Sequence, residues 1–287
     1  MRKLLVVIIF LISAVFFQFE IYAQCSDAGV CSIGGHSMEQ ESRSLFNISA
    51  SYKYGYSGIE DDVKYNSVQV GAFYSVLENT SFQLLIPYNM QSGPLGNVSG
   101  IGDLLVSATQ NIYSDENSGF DVSFGLKLAT GDDNKDKLPM AYQSGLGSND
   151  VIITLNYTYN KLNVGAGYQF AGKRNNNFQK LQRGDDLLIR AGYGFMFDNF
   201  IINPQILFIK RLDKSNFYNP NYITQNFIDI ENSDQTQLNL LVMGNYKLND
   251  IFSLFADLAV PFIKREVNVD GLTRAFSASV GVKFSIN

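Results

Sequence analysis

FNISASYKYGY, residues 46–56, alternates between two kinds of side chain. Every second residue from Phe46 to Tyr56 is apolar or aromatic, whereas the residues between them are polar or glycine. Successive side chains of a β-strand point to opposite faces of the sheet, so this stretch predicts a strand with one apolar face and one polar face.

The same period of two recurs along the chain and predicts about 12 strands. Each segment has roughly 10 to 14 residues, longer than most strands of soluble sheets and sufficient for a tilted membrane crossing. The predicted ranges are 45–56, 63–76, 81–90, 102–113, 120–130, 150–159, 162–171, 187–197, 200–210, 236–247, 251–261 and 274–286.

The connections between these segments alternate between tight and long. The tight ones lie at 77–80, 114–119, 160–161, 198–199 and 249–250, and the long ones at 57–62, 91–101, 131–149, 172–186, 211–235 and 263–273. This alternation is typical of membrane barrels with short periplasmic turns and long outer loops. We therefore predict an all-β fold, a transmembrane antiparallel up-and-down barrel. A soluble secreted sandwich or lipocalin-like barrel is the alternative, but so many apolar faces would overfill its core.

The first residues predict export. Met1, Arg2 and Lys3 precede an apolar run, and Ala23 is suited to cleavage, so residues 1–23 are interpreted as a signal peptide rather than an anchor helix. Residues 24–42 then form a periplasmic segment and 43–287 the barrel, in the outer membrane of a Gram-negative bacterium. The net charge of −5 argues against a nucleic-acid partner, which requires a dense cationic patch.

Several charged residues occupy the polar face of the predicted strands. On the lipid side a charge costs up to about 2 to 4 kcal/mol at mid-depth, so we expect these side chains in the lumen. Their mixed signs predict either a polar, weakly selective constriction or an internal lattice of salt bridges. The candidate lumen-lining residues are Lys53, Asp103, Lys127, Asp150, Arg190 and Asp257.

The longest connection, 211–235, contains apolar residues that have no reason to face water. Phe217, Tyr218, Tyr222 and Phe227 are its aromatic members. We hypothesise that this mouth loop folds over or into the outer opening. The alternative is packing against neighbouring loops or the lipopolysaccharide layer.

The segment before the barrel contains Cys25 and Cys31, which predict a small disulfide loop in an oxidising compartment. A soft-metal site that adds His36 and Met38 is the alternative, although the spacing matches no zinc pattern. A second metal hypothesis, calcium at the acidic run 132–136, competes with a simple solvated loop. No metal and no cofactor is predicted.

Two stretches resemble known families. Residues 279–286, SVGVKFSI, resemble the C-terminal assembly signal of outer-membrane barrels, although the chain ends in Asn287 and not in an aromatic residue. GIGDL (100–104), GLKLATGD (125–132) and the stretch 145–150 resemble the transporter family named for the meta-pathway of phenol degradation, with Ala129 where that family usually has proline. The resemblance implies a channel for small, often aromatic or hydrophobic compounds.

The expected function is therefore passive diffusion of small solutes, with lipid, solutes and the outer-membrane assembly machinery as partners. A structural or assembly component of the cell surface is the alternative. A barrel enzyme is disfavoured because His36 is the only histidine and precedes the barrel.

Overall fold

The computed structural model describes residues 45–220 and 226–286. No helix within those residues is long and apolar enough to cross a membrane. The strands of this part of the chain are β1 (Phe46–Tyr56), β2 (Lys64–Leu77), β3 (Thr80–Gly93), β4 (Gly96–Ile101), β5 (Leu104–Ser114), β6 (Ser118–Leu128), β7 (Asp150–Tyr159), β8 (Leu162–Phe170), β9 (Asp186–Tyr193), β10 (Phe195–Phe197), β11 (Phe200–Arg211), β12 (Asn216–Tyr218), β13 (Phe227–Asp229), β14 (Thr236–Lys247), β15 (Phe252–Ile263) and β16 (Phe276–Ile286).

The strands form a closed antiparallel barrel of twelve wall strands in the described residues. Each wall strand pairs with its neighbours in the chain, and β1 closes the ring by pairing with β16 from Phe46↔Ile286 to Tyr56↔Phe276. β4 with β5, and β9 with β10, each form one wall strand with a short interruption. The predicted up-and-down barrel is confirmed.

The barrel wall is apolar outside and polar inside. On β2, for example, Val68 and Val70 are 44% and 45% exposed, whereas Ser67, which precedes Val68 and points to the opposite face, is 5% exposed. Buried polar side chains line the inner face around much of the ring, among them Ser123, Thr154, Asn156, Asn203 and Gln205. A closed wall satisfies every inter-strand backbone group, and an apolar exterior matches lipid, so this arrangement is that of a membrane-embedded barrel.

Aromatic side chains gather near the two ends of the wall strands. Near the periplasmic turns Phe252 and Phe284 have ring centroids 5.2 Å apart, and Phe46 lies 6.4 Å from Tyr74. Near the outer loops Tyr54 and Phe276 are 5.5 Å apart. Two such girdles mark the interfaces of an outer-membrane barrel.

Two strand pairs lie where the sequence predicted loops. The predicted loop 91–101 is wrong, because β3 and β4 continue as a hairpin from Tyr88↔Ile101 to Gly93↔Gly96. Gly96 has a φ of 144°, a conformation that glycine adopts without strain and that allows the two-residue turn at 94–95. The second strand pair that the sequence did not predict is the short hairpin β12–β13, which lies within the mouth loop.

Candidate functional site: the barrel lumen

The outer half of the lumen holds three inserted loops, which connect β6 to β7 (the 129–149 loop), β8 to β9 (the 171–185 loop) and β15 to β16 (the 264–275 loop). Their buried residues pack against the inner face of the wall and against one another. Gly271 shows how close the loops come, because a Cβ there would lie 2.5 Å from the Cα of Ala141. The lumen is therefore narrowed from the outer side by polypeptide.

An apolar layer joins the loops to the wall. Met140, Leu146, Leu181 and Leu272 come from the loops, and the wall supplies inward-pointing apolar residues at the same level. The wall members are Leu105, Ile152, Leu188, Leu207, Ile209 and Ala259. Apolar side chains that faced a water-filled pore would gain no free energy from burial. The contact of these wall residues with the loops therefore explains why they interrupt the polar inner face.

Buried ion pairs lie at the outer end of this layer. Arg211 donates to Asp186 and to Asp270 across 3.0 and 2.9 Å, and Arg265 donates to Asp186 across 2.9 Å. Arg183 pairs with Asp150. Three arginines thus meet three aspartates, and all six side chains are almost completely buried. Buried charges are tolerated when they are paired in this way, so the set ties two of the loops to wall strands.

The pKa values of the loop members reflect this pairing. Burial alone raises the pKa of Asp270, but Arg211, Arg265 and Arg183 together outweigh it, and the pKa is well below its usual range. Burial lowers the pKa of Arg183, yet the carboxylates of Asp150 and Asp270 reverse the direction and raise it. Both groups stay charged at neutral pH.

Asp103 organises the 129–149 loop. Its carboxylate accepts hydrogen bonds from the backbone N–H groups of Leu146 (2.7 Å) and Gly131 (3.1 Å). Gly131 and Gly145 lie back to back, since a Cβ on either would be 2.7 Å from the Cα of the other. The three stretches that carry the family resemblance, 100–104, 125–132 and 145–150, therefore meet in one packing unit that turns the 129–149 loop inward.

A cavity lies between the loops and the wall formed by β1 to β6. We call it the wall cavity; its volume is about 70 Å³. Its apolar lining includes Leu85, Pro87, Leu105, Met140 and Leu272, and its polar lining includes Lys53, Tyr65, Gln69, Asn89, Gln91, Asp103, Lys127, Asp270 and Arg274. A smaller cavity lies deeper, beside Arg190, Gln205 and Met243.

The six predicted lumen-lining residues fall into three places. Lys53, Asp103 and Lys127 come together at the wall cavity. Asp150 belongs to the buried ion pairs. Arg190 donates to Asn156 lower in the lumen, and Asp257 accepts a hydrogen bond of 2.7 Å from Ser279. Whether any of these side chains contacts a passing solute stays a prediction.

The mouth loop rests on the 171–185 loop. The ring of Phe227 lies under the guanidinium of Arg174 at 3.8 Å, and it also contacts the ring of Tyr218 at 5.8 Å. Asn216, beside Phe217, forms a β-bridge with Gln182. Tyr222 lies outside the described residues. These contacts correspond to the alternative of packing against a neighbouring loop, and an occluding role for the mouth loop stays a prediction.

The acidic run also contacts a neighbouring loop. Asp133 accepts the backbone N–H of Asn176 at 2.6 Å, and Asn134 accepts that of Phe178 at 3.1 Å. Its oxygens thus help to hold two outer loops together. Cys25, Cys31, His36 and Met38 lie outside the described residues, so the disulfide and the soft-metal alternative stay predictions.

Sequence reasoning missed most of the buried charges. Arg183, Asp186, Arg211, Arg265 and Asp270 lie in outer loops or at strand ends, where period-two alternation carries no information about direction. A signal was present in the wall strands, because 187–189 and 206–209 are apolar on both faces. Such runs predict that the inner face is covered by something other than water.

Comparison of the chain with solved structures places the fold among outer-membrane channels. The COG4313 outer membrane channel from Pseudomonas putida F1 superposes with a TM-score of 0.61 at 15% identity, over 84% of this chain and 95% of that one. The KdgM porin (TM-score 0.47, 12% identity, 83% of this chain and 99% of that chain) and the NanC porin (0.49, 10%, 84% and 99%) superpose less well. No protein-family model and no curated protein sequence matches the chain. The chain thus has the fold of a Gram-negative outer-membrane β-barrel.

Proposed function

We propose that the chain is a passive outer-membrane channel for small solutes, narrowed at its outer half by the three inserted loops. The observation that carries this proposal is the polar, charged inner wall enclosed by an apolar exterior. Such a wall gives a solute a water-compatible path across lipid, which a barrel filled with apolar side chains would not provide.

The proposed class of solute is based on the lining of the wall cavity, which is partly apolar and partly charged. It combines apolar side chains such as Leu85 and Met140 with Lys53 and Lys127. Small, partly hydrophobic or aromatic solutes suit that combination. The sequence resemblance of residues 100–104, 125–132 and 145–150 to the transporter family named for the meta-pathway of phenol degradation supports the same class of solute, and both the family and the solute class are proposals.

The remaining roles are also proposals. The stretch 279–286 is proposed to be recognised by the outer-membrane assembly machinery, and residues 1–23 to be removed after export. No enzymatic role is proposed, because the single histidine of the chain, His36, precedes the barrel in the sequence, which argues against a Ser–His arrangement on the barrel wall.

A second function, a structural component of the cell surface, is favoured by one observation. The apolar layer and the buried ion pairs fill much of the outer lumen, as expected for a closed barrel. The two functions differ in whether the loops leave a path.

Conductance of the purified protein in planar bilayers tests the proposal. We expect small, steady openings, because the wall cavity leaves space between the inserted loops and the barrel wall. Replacing 264–273 with a Gly-Ser linker removes Arg265, Asp270 and Leu272 and should enlarge the openings. Deleting 214–232 gives the matched comparison, since the mouth loop rests on another loop. A silent protein, correctly folded and silent also without 264–273, would favour the surface role.

A further inference from the structure

The inward side chains below the inserted loops are exposed unequally on the two sides of the lumen. In the middle of β6, β7, β8 and β11, which we call the packed side, they are buried, for example Ser123, Thr154 and Asn156. In the middle of β14 to β16 and β1 to β3, which we call the open side, most are half-buried, for example Ser51, Gln69 and Phe255. Because side chains alternate between lipid and lumen along each strand, the exposed surface of the inward set faces the lumen.

Side chains of neighbouring strands cover the packed side. Asn111 donates to the carboxylate of Asp121 at 2.7 Å, and Arg190 donates to Asn156. Arg190 also lies against β8, since a Cβ on Gly165 would be 2.8 Å from its Nε. Polar groups that are paired and covered in this way have little remaining contact with water. The packed side is therefore filled by the side chains of the protein itself.

The open side leads to the wall cavity. Phe255, Gly281, Ser51, Gln69 and Pro87 lie opposite one another on five successive strands, from β15 through β16, β1 and β2 to β3. Gln69 and Pro87 at the end of this row also line the wall cavity. The surface that stays accessible in the periplasmic half of the lumen thus continues into the space beside the loops.

Phe255 has the largest side chain of this row. Its ring lies against the wall at Gly281, where a Cβ would be 2.7 Å from Cε1 of the ring. The residue is nevertheless only half-buried. An aromatic ring on this otherwise largely polar face therefore keeps an apolar surface exposed to the lumen and narrows the open side.

We propose that solutes cross the periplasmic half of the barrel along the open side, past Ser51, and that Phe255 limits the width of this path. The inference rests on the proposed function, to which it adds a route and a residue that sets the size of the solute. A wider solute meets the ring of Phe255 on this route, whereas the packed side offers no alternative way through.

Cysteine labelling in detergent tests the route without requiring a current. In a chain whose natural cysteines are replaced (Cys25→Ser, Cys31→Ser), Ser51→Cys should react with a small, water-soluble methanethiosulfonate several-fold faster than Ser123→Cys, because a buried thiol is inert. Both changes replace a hydroxyl with a thiol on the inner face, but Ser123 is 0% exposed. Equal labelling rates in the two folded variants overturn the route.

Conductance of Phe255 variants in planar bilayers tests the width. Phe255→Ala should raise the conductance and Phe255→Trp should lower it, and a heat-shifted gel band verifies that both are folded. Phe252→Ala removes the same ring from the lipid face of β15, where Phe252 is 46% exposed, and should leave the conductance unchanged.

The two measurements separate the route from the channel function. An unchanged conductance in both Phe255 variants overturns the role of that residue. A silent bilayer overturns the channel and with it the passage of solutes, whatever the labelling rates. Steady openings together with equal labelling of the two cysteine variants overturn the route alone.

Discussion

Asp186 is the residue on which the buried charges of the lumen depend most. Its carboxylate accepts hydrogen bonds from Arg211 at 3.0 and 3.2 Å and from Arg265 at 2.9 Å. Arg211 has a second partner in Asp270, whereas no other acid pairs with Arg265 in the described residues. Loss of Asp186 therefore leaves the buried guanidinium of Arg265 without a directly paired anion, and breaking a buried pair on one side is strongly destabilising.

Asp186→Ala should lower the free energy of unfolding by about 3–5 kcal/mol and loosen the 264–275 loop. The measurement is heat or urea denaturation followed by loss of the folded gel band, with conductance as a second readout that should rise. Lys214→Ala is the matched control, because its partner Glu231 is 79% exposed and such pairs contribute less than about 1 kcal/mol. Equal effects of the two variants would contradict the role of Asp186.

The titration of Asp270 should make the protein less stable in acid. Its folded pKa is depressed by three arginines, whereas an unfolded aspartate titrates near about 3.9. A depressed carboxyl contributes stability that is complete above the unfolded pKa and is lost as the pH falls through the folded pKa. Thermal resistance should therefore be level from neutral pH to about 5 and fall below about 4.

Asp270→Asn provides the control for this pH dependence. The variant should be less stable than the parent at neutral pH, because Arg211 loses one of its two anions. The difference between the two proteins should shrink as the pH is lowered below about 4, because the Asp270 carboxyl of the unfolded parent chain then binds a proton that the folded state excludes. A difference that stays constant down to the lowest pH would show that the charge of Asp270 is not the cause.

The glycine pair of the 129–149 loop gives a prediction at the scale of elements. A Cβ on Gly145 would lie 2.5 Å from the Asp103 carboxylate and 2.7 Å from the Cα of Gly131, and the second contact is with backbone that cannot rotate away. Gly145→Ala should therefore cost about 1–3 kcal/mol and move the loop out of the lumen.

Gly119→Ala is the control for Gly145→Ala, and the two variants are compared in stability and in conductance. Gly119, at the start of β6, would place a Cβ no closer than 3.8 Å to its neighbours, so Gly119→Ala should be close to neutral in stability and conductance. A larger conductance in Gly145→Ala alone would tie the loop to the constriction. The reverse ranking would refute the packing role of the pair.

The wall strands could be predicted because their information is local. Residues 46–56 or 150–159 show both faces within one segment, and the observed strands end within a few residues of the predicted ones. The β3–β4 hairpin was missed because Pro94 and two glycines are as typical of a loop as of a tight turn.

The candidate site was predictable only in part. An inward direction is predicted for Lys53, Asp103 and Lys127 because a charge on a strand has to choose a face. Arg183, Arg265 and Asp270 lie in loops, whose direction depends on contacts far away in the sequence. No periodic pattern of apolar and polar residues encodes whether such a loop folds into the lumen.

At the scale of the whole molecule, the closed wall predicts heat-modifiable mobility. Unboiled protein in detergent should migrate differently from boiled protein on a gel, because a barrel whose every wall strand is paired on both sides resists unfolding by detergent alone. The measurement is a gel with paired samples. Identical mobility, together with solubility in the absence of detergent, would contradict a membrane barrel.

Closure through β1 and β16 also sets the order of events during folding. The contact between Phe46 and Ile286 joins residues far apart in sequence, and contacts of such separation make folding slow. Until the last strand is available, β1 and β15 each present an unpaired edge on which another chain could grow. The nascent chain must therefore be shielded for its entire synthesis and transit, and a version that lacks β16 should aggregate however well its other strands are formed.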